Sequence, residues 1–136
     1  MDHTVLLDVN ALLLAARTRF PLAFEVDRLR PGATLAVPSS VLGELDRLVL
    51  RGVPGARTAA ALGRRLPRLP SIGRGDAAIL EAAIRYRAWV VTADQELADR
   101  LRSRGINVLV PRDRHRLELH RARAAPASHA RPSPPS

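Results

Sequence analysis

Four short apolar runs, spaced by segments with helical periodicity, constrain this chain more than any other feature. Thr4 to Asp8, Thr34 to Val37, Trp89 to Thr92 and Ile106 to Val110 are too short for helices and are rich in valine, leucine and isoleucine. Between them, apolar residues recur at helical spacing. Runs this continuous need cover on both faces. The alternation therefore predicts an α/β fold: a three-layer α/β/α sandwich around a central parallel sheet of about four strands. Right-handed crossovers then bring the carboxyl ends of the strands to one edge, where ligands bind in such sheets.

The first helix reads from Asn10 to about Arg17. A second begins at Pro21, carries Leu22, Val26 and Leu29 on one face, and stops at Pro31-Gly32. Ser39 or Ser40 is placed to cap a third, whose inner face is Val41, Leu45, Leu48 and Val49. Residues 52–75 are dominated by glycine, proline and arginine around a short alanine-rich helix near Arg57 to Leu66. They read as an exposed, mobile, basic excursion. A strong helix follows from Asp76. Thr92-Ala93-Asp94-Gln95 fits a capping box for the last helix, and Gly105 is its expected left-handed stop. The domain is expected to occupy residues 1–119. Residues 120–136, made of Ala, Pro, Ser, Arg and His, are expected to be a disordered tail.

With 136 residues, 46% of them hydrophobic, one core of ordinary size can close, and a second domain is not expected. The net charge of +9 comes entirely from arginine, since no lysine is present. That balance favours polyanionic partners, although replacement of lysine by arginine throughout also fits a compositional bias. With no cysteine, disulfides, thiolate zinc sites and cysteine nucleophiles are excluded. The start of the chain lacks a basic leader, and Ala11 to Ala16 is far short of the roughly 20 apolar residues of a membrane span, so a cytoplasmic protein is expected. Phe20, Phe24, Tyr86 and Trp89 are too few to suggest a base-stacking platform, which leaves phosphates as the handle for any nucleic acid.

Four acids fall at the expected ligand edge: Asp8 closes the first strand, Glu44 lies about a turn into the helix after the second, Asp76 opens a helix, and Asp94 follows the third strand. On a helical wheel, Asp76 lies within the stripe of Ile79, Leu80 and Ala83, and Asp94 within that of Leu97, Ala98 and Leu101. Glu81, Glu96 and Asp99 face outward and read as solvated. The wheel does not separate Glu44 from Asp46, and Glu44 is preferred for its nearness to the strand end. Two buried carboxylates about 5 Å apart repel by roughly 3 kcal/mol at an effective dielectric of 20, so a compensating cation is expected. An all-oxygen set suits Mg²⁺ or Mn²⁺, which can activate water and steady a phosphodiester. The simpler alternative is that Asp76 and Asp94 only complement helix dipoles. Asn10 is either a cap or a support for Asp8, and Thr92 is expected to cap its helix and touch Asp94.

These segments resemble a known family. Leu6-Leu7-Asp8-Val9-Asn10-Ala11-Leu12 resembles the opening of PIN-domain nucleases, and Val37-Pro38-Ser39-Ser40-Val41-Leu42-Gly43-Glu44-Leu45 their second motif. Asp76-Ala77-Ala78-Ile79-Leu80 resembles the third, and Val90-Val91-Thr92-Ala93-Asp94-Gln95-Glu96-Leu97 the fourth. The likeness covers about residues 4 to 111 and is stronger toward small stand-alone members and those that trim ribosomal RNA precursors than toward toxins. It implies a metal-dependent endoribonuclease whose ligands are Asp8, Glu44, Asp76 and Asp94. Two positions depart: Val9 stands where the family usually has a hydroxyl, and Ala93 where asparagine is common.

Arg57, Arg64, Arg65, Arg68 and Arg74 crowd the segment before Asp76, where they either track an RNA backbone or form a solvated face. The scattered histidines have no metal-pair spacing. A non-cleaving RNA-binding or assembly module is the alternative function, and a homodimer or an inhibitory or assembly protein partner is compatible with the sequence. A phosphoacceptor domain would want a lysine that is absent, and a haloacid-dehalogenase-like phosphatase an aspartate where Asn10 stands.

Overall fold

The computed structural model describes residues 3–123. Six strands form one sheet: β1 (Thr4–Leu7), β2 (Thr34–Pro38), β3 (Arg68–Leu69), β4 (Trp89–Val91), β5 (Val108–Pro111) and β6 (Leu117–His120). Among the described residues, six helices accompany the sheet: α1 (Val9–Thr18), α2 (Leu22–Leu29), α3 (Ser39–Leu50), α4 (Ala56–Arg64), α5 (Gly75–Tyr86) and α6 (Gln95–Ser103). The strand order is β3-β2-β1-β4-β5-β6. All pairings are parallel except β5 with β6. Helices flank this sheet as the expected three-layer α/β/α sandwich.

The chain starts in the middle of the sheet, builds outward through β2 and β3, and returns to β4 on the other side of β1. The two carboxyl ends at which this winding reverses, those of β1 and β4, flank the crevice where open α/β sheets bind ligands. Leu7 pairs with Val91, so the residues that follow, Asp8 and Thr92, stand side by side. Val5, Leu6, Leu7, Val37, Val90, Val108 and Leu109 are almost wholly excluded from solvent, as expected of strands covered on both faces.

The sheet has two more strands than expected. β3 is only two residues long, and β6 alternates Leu117 and Leu119 with Glu118 and His120, so neither shows a continuous apolar run. β6 is locked by a charged pair: buried Glu25 of α2 accepts from the Arg28 guanidinium at 2.8 Å and from the Leu117 N–H at 2.9 Å, and Arg28 also donates to the Leu117 carbonyl. Packing continues past the expected boundary at 119, since the Ala122 N–H donates to Asn107 and that of Arg123 to the Arg102 carbonyl. The rest of the expected tail, from 124 on, lies outside the described residues.

The basic excursion is also corrected. Its α4 packs against α1 and α3 through Ala56, Ala59, Ala60 and Gly63, a face of small residues that lets the helix backbones approach closely. A methyl group on Gly63 would stand 3.0 Å from a Leu42 methyl. Arg57, Arg64 and Arg65 are thus turned outward on a docked helix. Among the described residues, no helix is long and apolar enough to cross a membrane.

Candidate active site

Asp8 is the N-cap of α1. Its Oδ1 accepts the Ala11 N–H at 2.7 Å, and Oδ2 accepts the Thr92 hydroxyl across the β1–β4 junction. Thr92 does not cap α6. Its Oγ1 accepts the Asp94 N–H at 3.0 Å, while Asp94 itself is the N-cap and accepts the Leu97 N–H at 3.1 Å. A continuous chain of hydrogen bonds therefore joins Asp8 to Asp94 through one threonine. Asp8 is 3% exposed. Burial pushes its carboxyl up to about 6, against the pull of the Thr92 and Ala11 donors and helped by the charges of Asp94 and Asp76.

A cavity of about 120 Å³ opens beside Asp8, and Glu44 of α3 and Asp76 of α5 also line it, together with Ser40, Val9 and Asn10. Asp94 does not line this cavity but the adjoining groove, and Asn10 borders both. Asn10 is exposed within α1 and caps nothing. The structure thus brings three of the four expected acids to one cavity and ties the fourth to it through Thr92. It does not draw them tight: among the described residues, no three acidic or histidine side chains are gathered closely enough to hold an ion. Arg100 Nη1 lies 3.7 Å from Asp76 Oδ2, so an arginine supplies the nearest positive charge to that carboxylate.

The chain reaches this geometry through a latch. Ser39 and Ser40 do not cap α3 with their side chains. Instead Ser71, in the segment before α5, accepts the Ser40 N–H at 2.8 Å and donates its own N–H to Ser39 Oγ at 3.0 Å. The latch fixes the entry to the Asp76 helix against the helix that carries Glu44. Behind it, Tyr86 Oη donates to the Pro70 carbonyl at 2.6 Å.

A family model described as a PIN like domain matches residues 5–114. The chain belongs to the PIN-like domain family. Among solved structures, the fold is similar to one titled "Structure of the PIN domain endonuclease Utp24", with a TM-score of 0.71, 23% identity, and coverage of 86% of this chain and 92% of that one. It is also similar to a domain of a functionally unknown protein from Methanocaldococcus jannaschii DSM 2661, with a TM-score of 0.61, 16% identity, and coverage of 82% and 92%. No curated protein matches the sequence.

Two residues of this PIN-like site were not legible as such. Ser40 reads only as a cap in the sequence, yet its Oγ is buried on the cavity wall with no hydrogen-bond partner. Arg100 lies on the outward face of α6 and meets Asp76 only because α5 and α6 are neighbours in space. Of the five arginines expected to bind RNA, none lines the acid cavity. Arg64 is paired with Asp46, Arg57 and Arg65 are on the outer side of α4, Arg68 is on β3, and Arg74 precedes Asp76 as the N-cap of α5. Glu81, expected to be solvated, is half-buried and has one carboxyl oxygen, Oε1, without a partner.

Proposed function

We propose that this protein is an endoribonuclease that hydrolyses RNA phosphodiester bonds with the help of Mg²⁺ or Mn²⁺. The carrying observation is the cavity at the winding reversal: buried Asp8, with Glu44 and Asp76 on the same walls and Asp94 wired to it through Thr92. The donor set fits a hard divalent ion. It is all oxygen, Ser40 Oγ is a buried acceptor without a partner, and Glu44 has no hydrogen-bond or ion-pair partner among the described residues. A cavity of about 120 Å³ has room for an ion and its waters. Asp8, Glu44 and Asp76 line the cavity without being drawn tight enough to hold an ion as they stand, so they would have to close on it, with Asp94 beside them. When bound, the ion supplies Lewis acidity to an attacking water and to the phosphodiester.

The chain's own residues prepare this chemistry. The Ala11 N–H and the Thr92 hydroxyl orient Asp8 and favour its charged form, while burial opposes it, so the carboxylate gains from any cation that enters. Thr92 sets the spacing of Asp8 and Asp94. Arg100, 3.7 Å from Asp76, places a positive charge at the rim beside that carboxylate. Kinship with a family whose solved members include a PIN domain endonuclease supports the reading.

A second reading, an RNA-binding or assembly module that does not cleave, is favoured by Val9, which presents no hydroxyl to the cavity it lines. Incubation of a labelled structured RNA with the purified protein in Mn²⁺ decides between them. Endonucleolytic shortening that needs the metal and is abolished by Asp8→Asn or Asp76→Asn supports the nuclease. RNA retained without metal and never shortened supports the module.

A further inference from the structure

A strand presented to the acid cavity has to continue into what adjoins it. The adjoining groove has a volume of about 390 Å³ and is lined by Asn10, Leu13, Leu14, Arg17, Thr18 and Asp94 among others. Asn10 and Asp94 mark its near end. Arg17 lies seven residues further along α1, about 10 Å at 1.5 Å per residue. Buried Leu13 and half-buried Leu14 lie between.

Arg17 is held in place. Its Nε donates to the Pro54 carbonyl at 2.9 Å, and its stem lies across Gly55. A Cβ at Gly55 would come within 2.9 Å of Arg17 Cγ, and the residue has φ +83°, so only glycine leaves the stem this path. Arg28, Arg64 and Arg100 each face a carboxylate, whereas Arg17 has no ion-pair partner among the described residues. A guanidinium with a fixed stem, unpaired terminal nitrogens and an approach from the acid site is preorganised for an anion.

We propose that this groove is the strand-binding subsite of the protein and that Arg17 clamps a backbone phosphate of a single-stranded RNA there, with Leu13 and Leu14 as the apolar floor beneath sugar and base. The naming of the occupant rests on the nuclease reading. A phosphodiester chain suits both ends of the groove, with one phosphate at the cation-requiring acids and another on the guanidinium.

The test uses the full chain, a fluorescein-labelled single-stranded 12-mer RNA and fluorescence anisotropy over a salt series, in Mg²⁺ and in an Asp8→Asn background that prevents turnover. Arg17→Ala is expected to weaken binding about tenfold and to lower the slope of log K against log salt by about 0.7, one single-strand phosphate. Arg17→Lys should fall between, and Arg104→Ala, which removes the same charge from the opposite end of α6, should leave the slope within error of the parent. Equal affinity and slope for Arg17→Ala and parent would overturn the proposal, as would an equal loss for Arg104→Ala, which would mean diffuse charge only. Cleavage of the same RNA in Mn²⁺ separates the two claims. An uncleaved RNA that still needs Arg17 sinks the nuclease and keeps the subsite, whereas cleavage with an unchanged KM in Arg17→Ala keeps the nuclease and sinks the subsite. No RNA binding by any form sinks both.

Discussion

Removing the charge of Asp8 should stabilise this protein at neutral pH. Folded Asp8 keeps its proton up to about pH 6, whereas an unfolded aspartate releases it near 3.8. Between those values the folded state binds more protons than the unfolded one, so this group makes stability fall as pH rises through the window. Above pH 6 the full penalty is in place. The gap between 3.8 and about 6 corresponds to roughly 3 kcal/mol at about 1.4 kcal/mol per pH unit. Asp8→Asn keeps the shape, the acceptor for Ala11 and a good N-cap residue, and removes the buried charge at the cost of the Oδ2 acceptor of the Thr92 hydroxyl. It should gain about 1–3 kcal/mol, or about 5–10 °C in Tm, at pH 8 in EDTA, and nothing at pH 3.5. Thermal and urea denaturation of both proteins from pH 3.5 to 8 measures the difference directly. Saturating Mn²⁺ should raise the Tm of the parent at pH 8 and barely move that of Asp8→Asn. A variant less stable than the parent at pH 8, or a gap that does not change with pH, would refute the reasoning that burial strains this carboxylate.

Asp94→Asn should separate catalysis from folding, because asparagine caps a helix about as well as aspartate: stability should change by less than about 1 kcal/mol while Mn²⁺-dependent RNA cleavage falls at least about 100-fold, read by denaturation and gel assay. Glu25→Gln should cost about 1–3 kcal/mol at pH 7, since the Arg28 and Leu117 bonds lose their charged acceptor. Those bonds hold the Glu25 carboxyl below its ordinary 4.5, so its contribution is complete above that value and is lost as pH falls through the lower folded value, the opposite sense to Asp8. Urea titrations of both variants on either side of pH 4.5 check the contrast. Arg100→Ala should tighten Mn²⁺ binding several-fold by calorimetry, because it removes the cation now beside Asp76, and unchanged affinity would show that Arg100 does not compete.

The four strands were readable because a strand buried on both faces must be apolar throughout, and the gathering of Asp8, Glu44 and Asp76 at one cavity because each follows or closes a unit that ends at the same edge, whereas Asp94 lines the adjoining groove. What the sequence concealed depends on who neighbours whom. Thr92 looks like a cap from its local pattern, yet β4 lies beside β1 and its hydroxyl is drawn to Asp8 instead. Ser39 and Ser71 are thirty-two positions apart and meet only through the β2–β3 pairing, which a two-residue strand does not announce. The helix of residues 56–64 sits in an arginine-rich stretch, and its docking face is marked only by alanine and glycine at helical spacing, a signal weaker than the charge around it. β6 hides for a similar reason, since its inward Leu117 and Leu119 follow directly on a run of charged residues.

The order of the strands sets a timetable for the acids. In chain order β1, β2 and β3 come first and make one wing of the sheet, with Asp8, Glu44 and Asp76 all ahead of β4. The place beside β1 stays vacant until Trp89–Val91 arrives, and only then do Thr92 and Asp94 come into register with Asp8. A chain ending before Trp89 would therefore carry three of the four acids, but neither Thr92, which fixes Asp8, nor the strand that fills the centre of the sheet.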